Sequence, residues 1–169
     1  EYIIKGLKEK RNIFVEKPLC INKLELKEIK KNYLELFQKD KTISMPILMV
    51  GYNRRFSEFI KKIKNIIDQL NCPKAFIYTI NAGYISQNHW TQDKRGGGGR
   101  LIGEACHFID LLRFLANDKI KNMNINKLVQ NNSSNDTFTL NITFENGSIG
   151  TVHYFSNGNK SYPKETLEI

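Results

Sequence analysis

The stretch "GGGGRLIGEACHFIDLLRFL", residues 96–115, runs four glycines into an amphipathic segment. Its apolar residues recur at helical spacing over a wide stripe, which predicts a largely buried helix at about 100–116. The stripe consists of Leu101, Ile102, Ala105, Cys106, Phe108, Ile109, Leu112 and Leu115. Glu104 and His107 lie one turn apart beside it, and Asp110 follows one turn later. Ionisable groups beside a buried stripe need a partner or a ligand.

His107 therefore has two interpretations. It is either a core histidine held by a hydrogen bond to Glu104 or Asp110, or a general acid/base facing a cleft and tuned by those carboxylates. The glycines match neither the Walker A pattern nor the Rossmann fingerprint. They predict a tight turn before the helix, or a place where the chain passes close to a ligand.

Upstream, the first 52 residues alternate helix and strand. The segments are a helix end (1–10), a strand (12–18), a helix (22–40) with Asn22 as N-cap and Glu25 as its capping partner, and an apolar run (46–52). This alternation is typical of a parallel sheet, in which a continuous apolar run predicts a fully buried strand.

The remaining residues change character. They predict a helix at about 56–70, strands at 74–82, near 120–130, at 136–144 and at 147–155, and the start of a further strand at the end of the chain. Asn146–Gly147 is a strong hairpin signal. This part is expected to be α+β with a largely antiparallel sheet.

Composition narrows the class of protein. Hydrophobic residues make up 40% and charged residues 25% of the 169 residues, as in a globular protein. No apolar run reaches the roughly 18 residues of a membrane span, and no secretory signal is visible. The three cysteines are scattered, which argues against a disulfide framework or a metal site and favours the cytoplasm.

The net charge of +9 raises the possibility of a nucleic-acid partner. The lysines, however, alternate with apolar residues at helical spacing, which is typical of a solvated helix face. We therefore expect no nucleic-acid partner and no membrane partner, and a nucleic-acid binder is only a distant third interpretation.

Three motifs, in this order, resemble the Gfo/Idh/MocA oxidoreductases, the group of glucose-fructose oxidoreductase and inositol dehydrogenase. They are "FVEKPL" (14–19), "MVGYNRRF" (49–56) and "GGGRLIGEACHFIDLLRFL" (97–115). The segment "NAGYISQNHWTQD" (81–93) is similar to a branch found in sugar-modification proteins. The resemblance covers essentially the whole chain.

The resemblance implies an α+β chain from an α/β parent. Residues 1–51 would be the end of a Rossmann domain, and residues 52–169 a substrate and oligomerisation domain, incomplete at its end, with an open, mostly antiparallel sheet covered by helices. The missing N-terminal region would hold most of an NAD or NADP cofactor, so this fragment alone is expected to be inactive. The sheet would form the interface of a homodimer or homotetramer.

The resemblance also assigns roles to residues. Lys17 and His107 would handle the substrate proton, and Glu16, Lys17 and Pro18 would contact the cofactor. The Lys17–Pro18 peptide bond is expected to be cis. Many members carry an aspartate where this chain has Gly103, so Glu104 is the candidate replacement. The candidate substrate-binding residues are Asn53, Arg54, His89 and Trp90. No metal is expected.

The function implied is hydride transfer, dependent on a nicotinamide, to or from a hydroxyl carbon of a sugar, nucleotide sugar or cyclitol. The alternative is a non-catalytic sugar-binding or assembly module on the same fold. Two residues keep local alternatives: Trp90 is either a sugar-stacking surface or a packing anchor, and His153, in a strand pattern, is expected to be structural.

Overall fold

The computed structural model of the chain describes residues 1–39, 45–86, 88–93, 96–129 and 136–169. The chain divides into two compact units, Glu1–Tyr52 and Asn53–Ile169. This division falls one residue after the predicted domain boundary. The identity of the first unit as the end of a Rossmann domain stays a prediction.

The first unit alternates helix and strand. Its elements are α1 (Tyr2–Lys8), β1 (Ile13–Val15), α2 (Lys23–Lys39) and β2 (Leu48–Val50). The two strands pair in parallel, with Ile13 opposite Leu48, so α2 is the crossover helix of a β-α-β unit. Residue 40, the predicted end of this helix, lies outside the described residues.

The N-terminal cap of α2 is confirmed. The Asn22 Oδ1 atom accepts a hydrogen bond of 2.9 Å from the Glu25 backbone N–H. The Glu25 carboxylate accepts one of 3.1 Å from the Ile21 N–H, one residue before the position that a standard capping box uses. Two backbone donors at the helix start are thereby satisfied.

The prediction of a fully buried strand at 46–52 is wrong for this chain. Met49 is 41% exposed, and Phe14, its partner on β1, is 63% exposed. The parallel sheet has only two strands among the described residues, and its other face is where α1 packs, with Gly6 against the Ile13 side chain. A parallel strand is buried on both sides only when helices cover both faces.

The described residues of the second unit include five strands. They are β3 (Ala75–Asn81), β4 (Ile120–Lys127), β5 (Phe138–Phe144), β6 (Ile149–Phe155) and β7 (Glu165–Glu168), in the order β4-β5-β6-β3-β7. Only the β3–β6 pair is parallel. The predicted α+β fold with a mostly antiparallel sheet is confirmed. Residue 130, the predicted end of β4, lies outside the described residues.

The core lies between one face of this sheet and helix α5 (Cys106–Ala116). Burial alternates along β5 and β6, as expected for strands with one buried face. The helix contributes Phe108, Leu111, Leu112, Leu115 and Ala116, and the sheet contributes Phe76, Tyr78, Ile80, Leu140, Ile142, Val152 and Tyr154. The opposite face carries polar side chains such as Asn141 and His153.

Two predicted helices differ in extent. The helix predicted at 56–70 is α3 (Glu58–Ile67); it begins after Ser57, whose hydroxyl accepts a hydrogen bond from the Ile60 N–H, and follows a 3₁₀ turn at Asn53–Phe56. The single helix predicted at 100–116 is two helices, α4 (Gly99–Gly103) and α5. Glu104, at the break, has φ −125° and ψ −47°. Apolar periodicity continues across the break, so the pattern did not reveal it.

The glycine run makes one tight contact. A Cβ atom on Gly97 would overlap the backbone carbonyl of Thr91, whereas one on Gly96 would meet only the Asp93 carboxylate, at 3.2 Å. We expect Gly97→Ala to destabilise the protein by about 2 kcal/mol, since backbone cannot move aside as a side chain can. Thermal unfolding of the purified protein measures this. Gly96→Ala is the matched control, and equal losses for both variants would refute the close approach.

Candidate active site

The predicted cofactor residues lie at the carboxyl edge of the parallel strands. Glu16, Lys17 and Pro18 directly follow β1, and Gly51 directly follows β2. The Lys17–Pro18 peptide bond is cis, as predicted. A Cβ on Gly51 would lie 3.2 Å from the Glu16 carboxylate, so the glycine lets the two loops approach closely. In open α/β sheets this edge is where ligands bind.

In the second unit, His107 lies in the first turn of α5. Its backbone N–H donates to the Glu104 carbonyl at 3.1 Å, across the junction of the two helices. The side chain is half-buried, with a buried Nδ1 atom, and the next residue, Phe108, is in the core. The position of His107 therefore depends on the geometry of the helix break.

Both carboxylates predicted as partners of His107 are bonded to arginines. Asp110 accepts hydrogen bonds on both oxygens from Arg55, one of them 2.6 Å long from Nε. The Glu104 Oε2 atom accepts from the Tyr154 hydroxyl at 2.5 Å and from Arg100 Nε and Nη2 at 3.3 and 3.2 Å. These bonds hold both carboxylates in fixed positions within the second unit.

Arg100 is the important residue that sequence reasoning missed. It is only 3% exposed. Besides Glu104, its guanidinium donates to the carbonyls of Gly83 at 2.5 Å and Ala82 at 3.3 Å, just after β3, and it lies 5.1 Å from the Tyr154 ring centroid. The available signal was the spacing of Arg100 and Glu104, four residues apart in a helical pattern. We call Arg100, Glu104 and Tyr154 the first arginine network.

A second arginine network consists of Arg54, Tyr78 and Glu165. Arg54 Nη2 donates to Glu165 Oε1 at 2.7 Å, Nη1 bonds to Oε2, and the Tyr78 hydroxyl donates to Oε2 at 2.7 Å. The Arg54 guanidinium lies 4.7 Å from the Phe108 ring centroid. A cavity of about 290 Å³ opens beside this network. Arg54, predicted to bind substrate, is thus held by a carboxylate of the same unit.

The two networks shift the acidities of their members. Burial, reinforced by the neighbouring carboxylates, raises the pKa of both Tyr78 and Tyr154, so both stay protonated donors. Burial opposes ionisation of Glu165, but the hydrogen bonds from Arg54 and Tyr78 outweigh it and lower the pKa of Glu165. Burial likewise opposes the charged form of Arg54, but the hydrogen bond to Glu165 and the charges of nearby acidic groups together outweigh it and raise the pKa of Arg54.

The other predicted substrate residues lie on exposed segments. Asn53 is exposed at the start of the 3₁₀ turn. In the loop after β3, His89 Nδ1 bonds the Thr91 hydroxyl at 2.9 Å, and Trp90 is 69% exposed. The packing-anchor interpretation of Trp90 is therefore wrong within this chain. Gln87, in the same motif, lies outside the described residues.

Three further observations concern His153, metal ligands and membrane spans. His153 Nδ1 bonds the Thr139 hydroxyl at 3.1 Å on the polar face of the sheet, in agreement with its predicted structural role. Among the described residues, no three His, Cys, Asp or Glu side chains gather as a metal site. Nor does any helix in the described ranges have the length and hydropathy to cross a membrane.

This α+β domain, with its five-stranded sheet covered by a helix, matches a known family of protein domains. Residues 39–168 match the "Oxidoreductase family, C-terminal alpha/beta domain". The chain belongs to the Gfo/Idh/MocA oxidoreductase family, so the family predicted from the motifs is confirmed. The sugar-modification branch stays a prediction.

Several relatives resemble the chain. A myo-inositol 2-dehydrogenase of Thermotoga maritima is 23% identical, over 90% of this chain and 45% of that protein. Myo-inositol dehydrogenase from Lactobacillus casei, solved with NAD(H) and myo-inositol, has TM-score 0.74 and 22% identity over 98% of this chain and 47% of that one. The WlbA dehydrogenase of Bordetella pertussis, solved with NADH and UDP-GlcNAcA, has a TM-score of 0.72 and 16% identity. The match covers 98% of this chain and 52% of that one. The chain thus spans about half the length of these relatives.

The lowered pKa of Glu165 predicts a pH-dependent contribution to stability. An unfolded glutamate titrates near 4.5 and the folded one lower, so the stabilisation is complete above pH 4.5 and disappears as pH falls through the folded pKa. Glu165→Gln should cost about 2 kcal/mol at neutral pH, for a partly buried ion pair, and progressively less in acid. Denaturant unfolding at several pH values measures this.

Glu168→Gln, an exposed change on the same strand, is the control and should have little effect. A Glu165→Gln penalty that does not decrease between pH 5 and acid, roughly two units lower, would contradict the linkage.

Proposed function

We propose that the complete protein is an NAD- or NADP-dependent oxidoreductase that transfers hydride to or from a hydroxyl carbon of a sugar, nucleotide sugar or cyclitol. The observation that carries this proposal is the family match together with Glu16, Lys17 and Pro18 at the carboxyl edge of the parallel strands. Relatives whose structures hold NAD(H) with myo-inositol, or NADH with UDP-GlcNAcA, support the substrate class.

The nicotinamide, when bound, supplies the hydride chemistry, and the protein supplies orientation and proton handling. A proton must leave the hydroxyl as hydride departs from the same carbon. Lys17 and His107 are the proposed pair that take this proton, since lysine and histidine are common acid/base groups. Glu104 is proposed to tune His107, whose backbone N–H bonds its carbonyl.

The remaining candidates are proposed to bind ligands. Glu16 and Pro18 would frame the nicotinamide end of the cofactor, and Asn53, Arg54, His89 and Trp90 would contact the substrate. These 169 residues contain no glycine-rich phosphate loop after a strand, so they fit only the nicotinamide end of the cofactor. Most of the NAD or NADP contacts would come from chain N-terminal to this stretch.

The oligomeric state and the cellular compartment are each proposed from one observation. The uncovered face of the five-stranded sheet carries hydrogen-bonding side chains such as Thr139, Asn141 and Thr151, and it would pair copies into a homodimer or homotetramer. The three cysteines, all within the described part of the chain, form no disulfide, which suits the cytoplasm.

One observation favours the alternative, a non-catalytic sugar-binding or assembly module. Gly103 stands where many members have an aspartate, and a Cβ there would lie only 3.1 Å from the Gly97 carbonyl. The nearest carboxylate, on Glu104, is bonded to Arg100 and Tyr154. A site without the usual carboxylate retains the cleft but has fewer groups for proton transfer.

The proton-handling pair has a direct test. Lys17→Ala and His107→Ala in the complete gene product should each lower turnover by about 10²–10⁴-fold, the usual contribution of a general acid or base, with unchanged thermal stability. Turnover is followed by NAD(P)H absorbance with a panel of cyclitols, sugars and UDP-sugars. His153→Gln is the histidine control and should keep turnover near that of the unaltered protein.

Unaltered turnover in both alanine variants would reject the assignment of this pair. Binding of sugar without turnover, and without NAD(P) binding, would instead establish the non-catalytic module.

A further inference from the structure

The start of α5 is not set by a local capping residue. Its N-cap position is Ala105, which makes no side-chain hydrogen bond to the helix, whereas helices usually begin at Ser, Thr, Asp or Asn. Just before it, Glu104 has a φ of −125°, far from the helical value of about −63°. The break between α4 and α5 is therefore held by contacts with other parts of the second unit.

Those contacts converge on the Glu104 carboxylate. The Tyr154 hydroxyl donates to Oε2 at 2.5 Å from β6, and Arg100 donates to the same atom from α4 through Nε and Nη2, at 3.3 and 3.2 Å. The Arg100 guanidinium also donates to the carbonyls of Gly83 and Ala82, just after β3. Glu104 is thus attached both to β6 and, through Arg100, to the end of β3.

Two short links connect this attachment to His107. The Glu104 carbonyl accepts the His107 backbone N–H at 3.1 Å, in the first turn of α5. The next residue, Phe108, packs its ring 6.2 Å from the Tyr154 ring. Because a helix directs its side chains through its backbone, the place of Glu104 sets the direction in which the His107 imidazole projects.

We propose that Arg100 and Tyr154 are positioning residues for His107 and act on it through Glu104. The inference rests on the proposed function, in which His107 takes a proton, and orientation matters because an acid/base group must lie within hydrogen-bond reach of that proton. The Glu104 Oε2 atom, which accepts from both Arg100 and Tyr154, serves to hold the turn. A chain with Gly103 in place of the usual aspartate can in this way still present an ordered histidine.

The test compares Tyr154→Phe with Tyr78→Phe in the complete gene product. Each variant loses one hydroxyl that donates to a glutamate and keeps a ring beside Phe108. The glutamate bonded by Tyr154 lies at the helix break, whereas Tyr78 bonds Glu165. A purely structural role predicts that the two variants behave alike.

Diethyl pyrocarbonate, which modifies accessible imidazoles, is the probe, and mass spectrometry gives the rate at each histidine. We expect the rate at His107 to rise about threefold in Tyr154→Phe, as for the loss of one hydrogen bond, and to stay unchanged in Tyr78→Phe. Arg100→Lys should raise it as well, because a single ammonium replaces the forked donors of the guanidinium. His89 and His153 are the internal standards.

Kinetics test whether this positioning serves turnover. With myo-inositol or UDP-GlcNAc and NAD or NADP, Tyr154→Phe should lower kcat about tenfold and leave KM unchanged, a smaller loss than removal of the acid or base itself causes. Tyr78→Phe should keep kcat at a similar loss of melting temperature.

Three outcomes would overturn the positioning role. They are equal rates at His107 in Tyr154→Phe and the unaltered protein, a parallel rise in both tyrosine variants, and a rise with unchanged kcat.

The same samples separate this inference from the proposed function, since the modification rates need neither cofactor nor substrate. NAD(P)-dependent turnover with equal rates at His107 overturns the positioning role and leaves the oxidoreductase proposal standing. A rise confined to Tyr154→Phe, in a protein that binds neither NAD nor NADP, supports the role of the network in placing His107 and removes the oxidoreductase proposal.

Discussion

Among the described residues of the second unit, the charged group that is buried is the guanidinium of Arg100. A buried cation is tolerated only when it is paired and its donors are satisfied. Here Glu104 supplies the countercharge, Tyr154 shares the same carboxylate oxygen, and two backbone carbonyls after β3 accept the remaining bonds. This network ties α4, β6 and the end of β3 together at the helix break that precedes His107.

The second arginine network meets the first at a single aromatic ring. The Phe108 ring lies below the Arg54 guanidinium, edge-on to Tyr78 at 5.2 Å and near Tyr154 at 6.2 Å. Burial lowers the pKa of Arg54, and the charge of Glu104 joins the interactions with Glu165 and Tyr78 that together raise it. Arg54 and Glu104 thus make bonds that stabilise the fold of the second unit. The proposed proton transfer therefore rests mainly on Lys17 and His107.

Local signals predicted much of this fold. Asn22 caps its helix, Gly147 takes a positive φ of 84° in the β5–β6 hairpin, and alternating burial follows β5 and β6. The break at Glu104 and the burial of Arg100 were missed because both arise from tertiary bonds to Tyr154 and to β3, which helical periodicity does not record.

The proposed chemistry requires the complete protein to bind a nicotinamide cofactor. The most direct measurement is made on the complete gene product, purified without added ligand: its absorbance and fluorescence for bound NAD(P)H, followed by titration with NAD and with NADP. We expect a bound nicotinamide, or saturable binding of either NAD or NADP. Absence of binding to both would contradict it, and would leave His107 as a structural residue of a sugar-binding module.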